Sequence, residues 1–263
     1  EITCLEKVQA DDQSESGTGL NMGPNAALAL RLHDPDLARL ADEACIPWRS
    51  WRISLTDGTK IGKLAIDSVA PGFGWRFRWS ELYRVLRSAA GPVIRYGATV
   101  TALGAGADGR PFIAWTEHGE AHRLDDIDLL IGADGRYSQV REHFSGKPAM
   151  RQFGISIFRL LVPDTSGGLI DDYEQWFNGN NRLLAFRVKS GHIYITGTFP
   201  IPVGGATPDA LKQPKALRAA YTPQGGRLGA QAQWMVDVAC DHISDLHWAR
   251  LQESDLSYGE PEA

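Results

Sequence analysis

The apolar positions change period along the chain, and the changes divide it into elements. Residues 26–32 and the positions Leu37, Leu40, Ala41 and Ala44 recur at helical spacing, with Pro24-Asn25 and Asp34-Pro35 as start signals. Residues 51–66 alternate on either side of Asp57-Gly58, a dipeptide that favours the tight turn of a β-hairpin. A third helix is predicted from Leu82, Val85, Leu86 and Ala89, with Ser80 as its N-cap and Gly91-Pro92 as its stop. Residues 93–96 and 98–103 are strand-like. Further on, residues 151–162, 173–177, 182–188 and 192–199 read as four strands joined by short polar turns, the pattern of an antiparallel sheet. Thr207-Pro208 opens a helical stretch that Pro214 should break or kink, residues 234–247 are helical in part, and the chain turns polar from Leu251.

Two further segments make this an α/β protein with a parallel sheet. Residues 2–5 form an apolar strand closed by Glu6. Residues 129–131 form a continuous apolar run, as expected of a parallel strand covered on both faces, which enters the turn Gly132-Ala133-Asp134-Gly135. Glycine lets such a turn close tightly and approach a ligand, and Ser138 is placed to cap a helix beginning near Gln139. A strand running through a glycine turn into a helix is a place where α/β proteins bind phosphate-bearing ligands.

Composition narrows the partners. A chain of 263 residues with 43% hydrophobic and 22% charged residues can bury a sizeable core. The net charge of −5 argues against nucleic acid or an anionic membrane as partner. No apolar run approaches the ~18 residues of a membrane span, and no basic leader precedes the first strand. Cys4, Cys45 and Cys240 are odd in number and far apart, which suits a reducing, cytoplasmic setting; Cys4, inside an apolar strand, is expected to be buried filler. The histidines lack metal-ligand spacing, so no metal site is expected.

Residues 104–109 spell Gly-x-Gly-x-x-Gly but are a decoy. The nucleotide fingerprint must open a helix, whereas residues 111–116 continue as β sequence, so Asp108-Gly109 is a hairpin turn.

The motif Gly132-Ala133-Asp134-Gly135-x-x-Ser138-x-x-Arg141 resembles the second flavin-site motif of the FAD-dependent aromatic hydroxylases, the single-component flavoprotein monooxygenases similar to p-hydroxybenzoate hydroxylase. Gly17-Thr18-Gly19 resembles that family's loop beside the flavin, and Glu6 stands where an acidic residue closes a strand and accepts hydrogen bonds from ribose. Trp79 departs from the family, many of whose members carry a cofactor-reaching arginine there; Arg78 or Arg76 could substitute.

The resemblance implies an FAD/NAD(P)-binding three-layer fold with a parallel sheet, plus an antiparallel substrate domain. It places an incomplete FAD-binding domain at 1–148, the substrate sheet at 149–203, and a helical return segment at 204–263. The family's first glycine loop and its later Gly-Asp motif are absent, as expected of a chain truncated at both ends, which would bind FAD weakly or not at all. The implied cofactor residues are Glu6, Gly17, Gly19, Arg78, Val100 through its backbone beside adenine, Asp134 and Gly135. Trp176, Phe186 and Tyr194 are candidates to line the substrate cavity.

The implied activity is hydroxylation of a small aromatic or heteroaromatic substrate through a flavin hydroperoxide, with NAD(P)H and oxygen as co-substrates. No catalytic acid or base can be named from sequence. Oligomers are common among such enzymes. Two alternatives stand beside this reading: another flavin enzyme such as an epoxidase, halogenase or reductase, or a non-catalytic remnant of the fold that no longer holds FAD.

Overall fold

The computed structural model describes residues 1–11 and 18–254. In chain order the first elements are β1 (Cys4–Glu6), β2 (Gly19–Met22), α1 (Pro24–His33), α2 (Pro35–Ala44), β3 (Ile46–Trp48), β4 (Ser50–Leu55), β5 (Lys60–Ala65) and β6 (Gly74–Arg78). Then come α3 (Trp79–Ala90), β7 (Ile94–Tyr96), β8 (Thr99–Ala105), β9 (Pro111–Glu117), β10 (Glu120–Leu124) and α4 (Gln139–Ser145). The last are β11 (Met150–Pro163), β12 (Tyr173–Asn178), β13 (Asn181–Val188), β14 (His192–Pro200), α5 (Pro214–Tyr221), α6 (Ala230–Asp241) and β15 (His247–Ser254).

By density of contacts the chain forms two units, one of Glu1–Gln13, Ala90–Arg151 and Gln252–Ala263, the other of Ser14–Ala89 and Gln152–Leu251. These do not coincide with the sequence boundaries at 148 and 203. The segment carrying β2 to α3 groups with the antiparallel sheet.

The first unit holds β1 paired in parallel with β7, and a three-stranded antiparallel sheet in the order β10-β9-β8. The residues 104–109 connect β8 to β9 as a hairpin with Gly109 at φ 81°, so the decoy reading is correct. Its small core is Ala98, Ile113 and Trp115, with Leu5, Val100, Ile127 and Leu130 packed against it. Residues 129–131 depart from expectation. No strand among the described residues pairs with them, and Leu129 and Ile131 are each 73% exposed, so the run has no ladder and only Leu130 finds cover, against the small core. Cys4 is exposed, against the expectation of buried filler: β1 is hydrogen-bonded on one side only, and its burial begins at Leu5.

The second unit is built on a seven-stranded sheet in the order β15-β11-β14-β13-β12-β4-β5. The four strands expected from 151 to 199 are all present and pair antiparallel with one another. The hairpin β4–β5 extends the sheet because β4 runs parallel to β12. One face carries Phe158, Leu160, Leu183, Ile193 and Ile195 against α5 and α6, forming the main core. Three details differ from the sequence reading. Pro214 begins α5 rather than breaking a helix, since the first turn needs no amide from it. The stretch from Leu251, read as turning polar, continues the edge strand β15 as far as Ser254, where alternation on one half-exposed edge leaves a weak apolar signal. Helix α3 starts at Trp79, so Ser80 lies inside it rather than capping it.

A smaller antiparallel sheet, β2-β6-β3, belongs to the same unit, with α1, α2 and α3 packed around Ala27, Ala41, Trp75, Phe77 and Val85.

Candidate functional site

In the first unit the opening motif is organised by one carboxylate. An Oδ of Asp134 accepts the backbone amides of Gln139 (2.6 Å) and Val140 (3.2 Å), while Ser138 accepts from the amide of Arg141 (3.0 Å). The seven-residue helix α4 therefore has its first amides satisfied by its own turn. Partial burial alone would raise the Asp134 carboxyl, but hydrogen bonds from Ser138, Val140 and Gln139 outweigh it and hold the group below the usual carboxylate range.

The glycines of this turn serve different ends. A Cβ on Gly132 would lie 2.5 Å from that of Val140, so this position is needed for the turn to pack on α4. Gly135 has φ 75°, a left-handed conformation, and a Cβ there would meet nothing within 4 Å: the turn presents open backbone. Arg141, which donates to the carbonyl of Arg136, has a buried Nε without a hydrogen-bond partner.

Glu6 ends β1, and one of its carboxylate oxygens accepts the amide of Val8 at 3.0 Å. Val100 lies in β8 opposite Trp115, beside a register shift before Ala102, with its side chain packed into the small core. Any contact it makes with a ligand is left to its backbone.

In the second unit Gly17 lies outside the described residues. Gly19 pairs directly with Arg78 across β2 and β6, so two of the residues assigned to the cofactor are neighbours. The need for glycine at position 19 is now explained locally: a Cβ there would sit 2.4 Å from Cγ of Tyr194. Arg76, the other arginine considered for the cofactor, is only 4% exposed and is spent inside the fold. It donates to the carbonyls of Asp171 and Pro47 and lies 3.7 Å from the Asp172 carboxylate. Burial lowers its pKa, opposed by Asp172 and Asp171.

The three aromatic candidates fall on two faces of the large sheet. Trp176 is 1% exposed in the core beneath α5 and α6. Phe186 and Tyr194 are cross-strand partners on the opposite face, their ring centroids 5.3 Å apart, in a cluster with Leu184, Val188, Leu161 and Tyr173. Sequence reasoning missed the polar members of that face. The amide of Gln175 donates to the Tyr173 hydroxyl at 2.8 Å, and Arg159 and Thr196 lie beside the Tyr194 hydroxyl. Burial raises both phenols against these neighbours. The signal was present in the two-residue period of β13 and β14, once their register was known.

The buried Cys45 thiol is pushed up to about 11 by burial and then by Asp42, the opposite of what a reactive thiol requires.

No protein-family model and no curated protein matches this sequence. Solved structures do. HpxO from Klebsiella pneumoniae, complexed with FAD and uric acid, aligns with TM-score 0.70 at 17% identity over 95% of this chain and 61% of that one. A protein described as an FAD-containing monooxygenase from Photorhabdus luminescens subsp. laumondii aligns with TM-score 0.75 at 14% identity, covering all of this chain and 72% of the other. CtdE in complex with FAD aligns with TM-score 0.68 at 15% identity over 97% of this chain and 66% of its own. The chain has the fold of FAD-containing monooxygenases. It spans about three fifths of the length of the HpxO structures. The mixed parallel and antiparallel sheets are the fold expected from the turn at Asp134, and among the described residues no helix is long and apolar enough to cross a membrane.

Proposed function

We propose that this chain is the flavin- and substrate-binding part of an FAD-dependent monooxygenase that hydroxylates a small aromatic or heteroaromatic ring, using NAD(P)H as reductant. The observation that carries the proposal is the turn at Asp134. A carboxylate, a glycine with open backbone and a buried guanidinium Nε without a partner stand together there, a donor and acceptor set suited to ribose hydroxyls and phosphate oxygens. These residues fit the group that the fold implies.

Asp134 and Gly135 would hold the ribose-pyrophosphate region, Glu6 a ribose, and Val100 the adenine through its backbone. Within the second unit, taken by itself, Gly19 and Arg78 are adjacent on their strands and are the described residues there that the resemblance assigns to the flavin. When bound, FAD supplies the activation of oxygen. One oxygen atom enters the ring carbon–hydrogen bond and the other leaves as water, with NAD(P)H giving the two electrons. The protein's share is positional. Phe186 and Tyr194, 1% and 5% exposed, are packed within their face of the sheet and would support a ring site only from beneath, while the Tyr194 hydroxyl, pushed up by burial, stays protonated at neutral pH.

The test is to express the full reading frame that contains this chain and supply NAD(P)H, FAD and labelled oxygen gas with a panel of hydroxylated aromatic acids and heterocycles. Ring-dependent NAD(P)H oxidation with one labelled oxygen in the product is expected. A folded protein that shows no NAD(P)H-dependent oxygen uptake with any ring would remove the oxygenase reading.

A further inference from the structure

Strand β6 is the middle strand of the small sheet and presents two unlike faces. Trp75 and Phe77 belong to the core that α1, α2 and α3 close, while Arg76 and Arg78, alternating with them, lie on the face where Gly19 meets the Tyr194 ring. Opposite the two arginines on β2 stand Asn21 and Gly19. One end of that face holds Arg78 and Gly19, the pair assigned to the flavin, and the other end is fastened by Arg76.

The fastening reaches beyond the small sheet. Nη1 of Arg76 donates to the Asp171 carbonyl at 2.5 Å, just before β12, and Nη2 donates to the Pro47 carbonyl in β3 at 2.8 Å. The Asp172 carboxylate, 3.7 Å from the guanidinium, accepts the amide and the hydroxyl of Ser50 at the start of β4. Strand β6 is thus tied to β3, β4 and β12 through one pair whose two members are both buried.

Stability alone does not call for an arginine here. A buried ion pair is often matched or bettered by less polar side chains of similar volume. The Arg76 Nε, moreover, is buried without a hydrogen-bond partner, which costs stability. What the planar fork adds is direction: two nitrogens on two carbonyls fix the angle of the strand as well as its distance. Two residues further along, the same strand carries Arg78. A strand held this strictly presents its next side chain on that face in one position.

We propose that Arg76 and Asp172 are positioning residues, which hold β6 so that Arg78 and Gly19 stand ready for the flavin. This rests on reading Arg78 and Gly19 as flavin-facing, and it adds a buried pair that acts through them.

The test uses the protein from the full reading frame that contains this chain, stripped of flavin and titrated with FAD, with melting temperatures taken on the same samples. Arg76→Met together with Asp172→Asn removes both charges, keeps the side-chain volume and leaves an oxygen for Ser50. This variant is expected to melt within a few degrees of the parent and to bind FAD about tenfold to hundredfold more weakly. Arg76→Lys keeps a charge beside Asp172 but loses the fork, and should fold as the parent does with FAD affinity several times lower. Because the pair acts through Arg78, the double substitution made in an Arg78→Ala background should weaken FAD binding by less than about twofold more. Parent affinity in both variants, a full further loss in the Arg78→Ala background, or affinity that falls only where the melting temperature falls with it would overturn the proposal. A parent that takes up no FAD removes the flavin reading and this inference with it. A parent that binds FAD tightly, with any of those three results, overturns this inference alone.

Discussion

A buried aspartate and an exposed one illustrate how differently the two units are held. In the sheet unit, Asp172 accepts from the amide and hydroxyl of Ser50, the amide of Arg49 and that of Tyr173, and faces Arg76; its main partners are 122 residues away in sequence. In the other unit, Asp134 accepts from amides five and six residues on. The first is a tertiary clamp that fixes where β4 and β12 meet. The second is a local cap that shapes one turn and leaves its backbone open. The difference extends to apolar surface: Trp176, Leu183 and Ile195 are sealed beneath helices, whereas Leu129, Ile131 and Phe144 lie largely exposed. A region closed by long-range contacts can present a rigid face, and a region closed by local caps can present a turn to a ligand.

The comparison breaks most readily at Asp172. Asp172→Ala strips an acceptor from three amides and a hydroxyl and leaves the buried Arg76 without its nearest carboxylate. A loss of about 3–5 kcal/mol in urea unfolding is expected; a loss under 1 kcal/mol would mean that the clamp is dispensable. Next in size is Gly19→Ala, whose Cβ would strike the Tyr194 ring, at a cost of about 1–3 kcal/mol of overpacking. Gly62→Ala in the same unit is the control, since a Cβ there meets nothing within 4 Å and should be nearly silent.

On the other side, Ser138→Ala removes the cap of α4 and should cost about 1 kcal/mol. Amide exchange should quicken in residues 139–145 and stay unchanged in β13 and β14. The smallest effect is on acid stability. The folded Asp134 carboxyl is held below its unfolded value of about 3.9, so its contribution is complete above that pH and is lost as the pH falls through the folded value. Asp134→Ala should therefore lower stability at neutral pH and lose less on acidification. Parallel acid curves for the two proteins would show that the hydrogen bonds to Gln139 and Val140 are not what holds the carboxyl down.

Much of this was legible in the sequence because alternation, turns and caps are local signals. The four strands from 151 to 199, the hairpin at Gly58, the decoy at Gly104 and the cap at Ser138 all follow from neighbours a few residues apart. What was hidden depends on pairing. Residues 129–131 read as a covered strand because apolar content predicts burial but cannot supply the partner strand. Trp176 and Phe186 look alike in sequence, and only the register puts them on opposite faces. The same register alone puts Arg159 and Arg182 on one face. Gly19 was read as an approach for a cofactor, and its nearest constraint is the ring of Tyr194.

The central claim is that the turn at Asp134 belongs to a flavin site. The measurement that tests it most directly is the visible absorption of the protein purified from its full reading frame, with Asp134→Ala beside it. The account expects the absorption bands of oxidised flavin in the parent at close to one FAD per chain, and a variant that folds but loses most of its flavin on gel filtration. A well-folded parent without colour that takes up no added FAD, or a variant that holds FAD as tightly as the parent, would contradict it.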